Sequence, residues 1–176
     1  MEPGTASVTT VPPDTLQVRF FRAFARSHTR LLVRTRGRPS WSGPRLRFLV
    51  LEVRGRRSGQ PRSVVLLYMP DGEGFVVIAS NYGGERPPAW WLNLDSYPDA
   101  VVHVGGRSIP VRARALAETE RDKMVIRAVS YNNQWRRYLR TVQRELPIVR
   151  LEPSGEVFSN PSVRQLLSLI AQAQEG

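Results

Sequence analysis

Apolar residues along this chain come in short bursts separated by turn-forming residues. The runs Leu46–Arg54, Arg62–Met69, Gly74–Ala79, Ala100–Val104 and Ile109–Ala115 are rich in Val, Leu and Ile and are bounded by Gly, Pro, Asp or Ser. Runs of that length and composition read as β-strands. Pro70-Asp-Gly-Glu-Gly74 and Gly105-Gly106 supply hairpin turns, with glycine where a positive φ is wanted. Pro147–Leu151 is a last strand, placed to close the sheet. Short strands at this spacing predict a small antiparallel barrel rather than a parallel sheet.

Elsewhere the pattern changes to a helical one. Thr15–Val33 predicts a helix with arginines 19, 22, 26, 30 and 34 along one face and Phe20, Phe21, Phe24, Leu31 and Leu32 over much of the rest. Pro88 suits the first position of a short helix, Ala89–Tyr97. Glu118 to about Arg144 is helical, with a break near Tyr131-Asn132-Asn133. Asn160-Pro161 starts a tail helix carrying Val163, Leu166, Leu167 and Ile170 on one side. Residues 1–14, with three prolines, read as a disordered arm, and 35–44 as a loop. The fold class is α+β and mainly β: one domain over residues 15–153, then a tail over 154–176.

The chain has 176 residues, enough for one domain with a real core. It contains no run of eighteen apolar residues that would span a bilayer, and its first residues lack a signal-peptide pattern. There is no cysteine, and the two histidines, His28 and His103, stand far apart, so no metal site is expected. The charge is concentrated. Residues 19–62 hold thirteen arginines and one acid, Glu52, a net of +12, whereas the whole chain is +11. That segment is suited to an anionic partner.

No Ser–His–acid set, close carboxylate dyad, phosphate loop or Gly-x-Gly-x-x-Gly is visible in the spacing. An enzyme without such groups takes its reactivity from a cofactor. The basic turn between the first two strands, Gly55-Arg-Arg-Ser-Gly-Gln-Pro-Arg62, offers backbone N–H groups, a hydroxyl and guanidinium forks, the parts that hold a phosphate or carboxylate. A solvated basic bend is the plain alternative.

Taken in order, that turn, Leu66-Leu67-Tyr68, Ala79-Ser80-Asn81, Pro88-Ala-Trp-Trp-Leu-Asn-Leu94 and Leu146-Pro-Ile-Val-Arg-Leu-Glu-Pro153 resemble the deazaflavin (F420)-dependent nitroreductase family over residues 18–153. The resemblance implies a split β-barrel of the FMN-binding-like type and hydride transfer from reduced coenzyme F420 to a small planar acceptor: a quinone, a nitro compound or an activated enone. It implies that Arg56, Arg57, Ser58, Gly59 and Arg62 hold the cofactor's phosphodiester and glutamate tail. Ala79, Ser80 and Asn81 would line the edge of its ring, Trp91 and Asn93 would close the groove, and Tyr68 would reach the same cavity. Trp135 and Tyr138 are the implied acceptor-side, catalytic residues, with Tyr138 as proton donor. Relative to the family pattern, Arg57 replaces lysine, Pro87-Pro88 replaces His-Pro or Asn-Pro, Trp91 replaces tyrosine and Val142 replaces threonine.

Other readings remain open on the residues alone. A split barrel binding FMN or heme would use the same anion turn. A non-catalytic protein binding an anionic membrane through residues 15–34 fits the basic helix, which equally fits a cap on the barrel. Nucleic acid is disfavoured, because the strands show no exposed alternation of aromatic and basic residues. The expected location is cytoplasmic, at large or peripheral on the inner face of the membrane, and a homodimer is among the expected states.

Overall fold

The computed structural model describes residues 47–154, together with Thr35 and Gln165. The predicted arm, the basic helix 15–33 and, apart from Thr35, the loop 35–44 lie outside the described residues, as does the tail helix except for Gln165, which is helical. The order of elements is β1 (Phe48–Arg54), β2 (Pro61–Leu67), β3 (Met69–Asp71), β4 (Gly74–Ile78), a turn at Asn81–Gly83, α1 (Ala89–Ser96), β5 (Asp99–Val104), β6 (Arg107–Ala115), α2 (Glu118–Tyr131), α3 (Asn133–Thr141) and β7 (Ile148–Pro153).

All seven strands form one antiparallel sheet in the order β2-β1-β5-β6-β7-β4-β3. β2 and β3 occupy opposite edges, yet only Tyr68 separates them in the chain. The sheet must therefore curl until its edges approach, which makes it the expected split barrel. Where a single strand was expected over Arg62–Met69 there are two, β2 and β3. At Tyr68, whose N–H donates to the Arg47 carbonyl at 2.9 Å, the chain leaves β1 and turns to pair with β4.

Alternation places one side chain in two inside the curl. Leu49, Leu51 and Val53 of β1, Ala100 and Val102 of β5, Val111 and Ala113 of β6, Val149 and Leu151 of β7, and Phe75 and Val77 of β4 make the main core. Each fully buried Leu or Val there contributes about 1.5–3 kcal/mol. A second core lies on the opposite face of β4 and β7, where Val76, Ile78 and Ile148 meet Met124, Ala128 and Trp135 from α2 and α3. The predicted helix break is real: Asn132 is extended (φ −147°, ψ 128°) between α2 and α3. Pro88 stands one position earlier than expected, as the extended residue preceding α1 (φ −67°, ψ 148°). β2 is half-exposed because it forms a sheet edge.

Two polar networks tie the sheet together. On the face of β1 and β5 away from the main core, Ser63 Oγ donates to Glu52 Oε1 at 2.9 Å, Glu52 Oε2 meets His103 Nε2 at 2.9 Å, and His103 Nδ1 meets Ser108 Oγ at 2.8 Å. That chain crosses β2, β1, β5 and β6 in turn. It has Ser–His–acid connectivity that the spacing in the sequence concealed. The second network is ionic. Arg114 of β6 binds Glu120 and Glu152, Arg150 of β7 binds Glu120 and Asp71, and Arg127 of α2 binds Asp71.

The ionic network sets an acid limit on the fold. Hydrogen bonds from Arg114 hold the Glu120 carboxyl down to about 2 from its ordinary 4.5. For Asp71, burial works upward but is outweighed by Arg127 and Arg150, so its pKa is lowered. Depressed carboxyl pKa values stabilise the fold above the unfolded-state values, and that contribution is lost as pH falls through the folded ones. Urea midpoints should therefore decline from about pH 4.5 towards about pH 2. An Asp71→Asn/Glu120→Gln protein should start lower and decline less. Parallel curves for the two proteins would show that the network is not the cause.

Candidate functional site

The basic turn joining β1 to β2 is internally braced. Gly55 N–H donates to the Gln60 carbonyl at 2.8 Å, and Gly59 N–H to the Gly55 carbonyl at 2.7 Å. Gly59 has φ +68°, which favours glycine, and a Cβ on Gly55 would lie 3.0 Å from both Gln60 O and Ser58 Oγ. Ser58 Oγ accepts longer contacts, at 3.4 Å, from the Gln60 N–H and from Arg62 Nη2. The turn is also anchored from outside. Asn93 of α1 is 6% exposed, and its Oδ1 accepts both the Arg56 N–H and Arg56 Nη1 at 3.2 Å. Arg57, Ser58 and Arg62 remain exposed on this fixed platform. Asn93, expected to close a groove, thus carries a second job: its carbonyl orients Arg56.

After β4 the chain makes an unusual bend. Asn81, Tyr82 and Gly83 all lie in the left-handed region, at φ 48°, 55° and 85°. Two consecutive non-glycine residues there are uncommon. The bend is held by Gly83 N–H to Ser80 O and Gly84 N–H to Asn81 O, both 2.9 Å, and by Asn81 Nδ2 donating to Arg86 O at 3.0 Å. Arg144 clamps it from the side. Its Nη2 donates to the carbonyls of Ala79 (2.9 Å) and Ser80 (3.1 Å), its Nε to Gly84 O (3.1 Å) and its Nη1 to Glu145 O (3.1 Å). Every one of these acceptors is a neutral carbonyl, and burial pulls the Arg144 pKa below its ordinary value. Nothing in the spacing of the sequence marks this arginine, because three of its four partners lie sixty or more residues earlier.

Tyr138 of α3 packs on the same bend: a methyl placed on Gly83 would sit 3.5 Å from its Cδ1. Burial raises the phenol pKa, with Arg137 partly offsetting and Tyr82 adding to the rise. The hydroxyl therefore carries its proton at neutral pH. Trp91 is half-buried and packs against the main core.

Two of the expected site residues are placed differently. Trp135 is 3% exposed and stacks on Tyr131 (centroids 5.9 Å apart, 25° between planes), so its indole belongs to the second core. Tyr68 is 8% exposed and meets Phe75 edge-on at 5.3 Å in the main core. Both are large aromatics on a strand seam or helix face, where packing claims them. The others fall into two groups, the basic turn with α1 and the Ala79–Gly84 bend with Tyr138. Asn93 joins the basic turn to α1, Arg144 fixes Ala79–Gly84, and Gly83 seats Tyr138.

The residues suit an anionic, tailed, planar cofactor. Arginines and a hydroxyl on a braced turn match a phosphodiester and carboxylates, and the bend and half-buried aromatics match a flat ring. A family model of F420H(2)-dependent quinone reductases matches residues 24–153, which includes β1–β7 and α1–α3. An F420H(2)-dependent quinone reductase of Mycobacterium tuberculosis is 31% identical over 106 residues, 58% of this chain and 71% of that protein. Among solved structures, an F420-H2 dependent reductase aligns over 60% of this chain and 93% of its own, with 25% identity and a TM-score of 0.55. A chain described as a domain-swapped dimer aligns over 74% of this chain and 98% of its own, with 25% identity and a TM-score of 0.59. Its whole sheet and its candidate site lie inside the matched span, so the chain belongs to the F420H(2)-dependent quinone reductase family and is an F420-dependent oxidoreductase.

Proposed function

We propose that the physiological acceptor is a quinone, reduced to the quinol by net transfer of a hydride and a proton. The family's name and that of the mycobacterial relative support the acceptor class. The observation that carries the reading in this chain is the protonated, half-buried Tyr138 phenol seated on the bend beside Ala79–Asn81. When bound, the reduced deazaflavin supplies the hydride. Arg56, Arg57, Ser58, Gly59 and Arg62 would hold its anionic tail, and Arg144, which fixes the carbonyls of Ala79 and Ser80, would keep the segment that lines its ring in place. Tyr138 donates its proton to the quinone oxygen that becomes negative as the hydride arrives, then recovers one from water. General-acid assistance of that kind is worth about 10²–10⁴ in rate.

The test is oxidation of F420H2 by the purified protein with a quinone, a nitroaromatic compound and an activated enone in parallel. The quinone should react fastest. Tyr138→Phe should lower kcat by about 10²-fold with it, while the Kd for oxidised F420 stays unchanged. Turnover of the nitroaromatic or enone with none of the quinone would overturn the acceptor assignment; an unchanged kcat would remove Tyr138 from the chemistry.

The same proposal includes a homodimer, supported by the similar chain described as a domain-swapped dimer. It also includes cytoplasmic residence with peripheral docking through residues 15–34, supported by the arginines and phenylalanines of that segment.

A further inference from the structure

Tyr82 stands next to Gly83, on which Tyr138 is seated. Its backbone (φ 55°, ψ 27°) lies in a region that crowds a bulky L-residue, and Asn81 before it does the same at φ 48°. The bend does not relax, because Arg144 holds the carbonyls of Ala79, Ser80 and Gly84, and Asn81 Nδ2 holds that of Arg86. The Tyr82 side chain is nevertheless 65% exposed, whereas Tyr68, Trp90 and Trp135 are buried. A clamped and strained backbone thus presents a large flat ring to solvent beside a half-buried phenol. Burial of apolar surface does not account for tyrosine here, and glycine or asparagine would suit the backbone better.

We propose that Tyr82 is a specificity-determining contact whose ring forms a wall of the acceptor site, stacking on flat aromatic quinones while Tyr138 serves the reacting oxygen. The inference rests on the proposed function and deepens it by assigning an acceptor class: fused-ring quinones above single-ring ones. A fused bicyclic acceptor overlaps a phenol ring over more area than a monocyclic one, and offset stacking rewards that overlap. Strain held at one exposed residue is the pattern expected where the geometry serves binding rather than folding.

Two full-length variants test this, Tyr82→Asn and Tyr82→Phe. Asparagine tolerates the left-handed region and removes the ring; phenylalanine keeps the ring. Five quantities are measured on each: the melting temperature, the Kd for oxidised F420, the KM for a naphthoquinone and that for a benzoquinone with F420H2, and the Kd of the naphthoquinone for F420-loaded protein by quenching of tryptophan fluorescence. Tyr82→Asn should melt at or above wild type and keep its F420 affinity. Its naphthoquinone KM and Kd should rise about tenfold, and its benzoquinone KM about two- to threefold. Tyr82→Phe should behave as wild type throughout.

A Tyr82→Asn protein with unchanged naphthoquinone constants overturns the inference and leaves the proposed function standing. So does a marked fall in its melting temperature, which would make Tyr82 a folding residue. A wild type that binds naphthoquinone through Tyr82 without reducing it overturns the function and leaves Tyr82 standing. A wild type that neither binds nor reduces any quinone overturns both.

Discussion

The Arg56→Ala/Arg57→Ala protein is expected to bind oxidised F420 roughly two to four decades more weakly than wild type, from about 1.5–3 kcal/mol per charge-assisted contact. The two arginines act differently. Arg57 is exposed at the tip of the turn, free to meet an anion, while Arg56 is held by Asn93 Oδ1 through both its N–H and its guanidinium. An oriented side chain gives up less freedom on binding than a loose one. Asn93→Ala, which removes no charge, should therefore cost affinity as well, about tenfold. Rising salt should weaken the wild type and narrow its gap to the double variant. Fluorescence titration at two ionic strengths measures all three proteins. Equal affinity of the double variant and wild type would reduce the turn to a solvated bend.

Glu52→Ala should damage the fold strongly, costing about 3–5 kcal/mol, as removing one member of a buried pair does. Glu52 and His103 are 3% and 5% exposed, and the loss would leave His103 Nε2 and Ser63 Oγ without their acceptor inside the sheet. At about 2–4 °C per kcal/mol the melting temperature falls by roughly 10 °C. Glu52→Gln, which retains an oxygen at the same reach, should lose less than half as much. Urea unfolding of the three proteins gives the comparison. The network lies on the face of β1 and β5 away from the main core, so F420 affinity of the folded variants should hold. A cost for Glu52→Ala under about 1 kcal/mol would mean the network contributes nothing net.

Much of this was readable along the chain because it is local. Strand and hairpin positions follow from alternation and from glycines such as Gly72, Gly105 and Gly106, all of which adopt positive φ. The break between α2 and α3 falls at Asn132, where the helical pattern itself faltered. The anion turn was legible for the same reason: Gly55 and Gly59 bend the chain over five residues, and the arginines sit within that bend.

The sequence by itself determined an antiparallel β-rich domain, a concentrated positive charge and a cofactor-dependent chemistry, since these depend on residue type and near neighbours. Tertiary structure decided the rest. It split the strand at Tyr68, because a curling sheet brings opposite edges together across one residue. It drew Tyr68 and Trp135 into the cores, because large aromatics go where packing is densest. Arg144 found the carbonyls of Ala79, Ser80 and Gly84, and Glu52 found His103, across separations of about fifty residues or more. No local preference encodes such pairs; only the register of the sheet and the docking of α3 set them face to face.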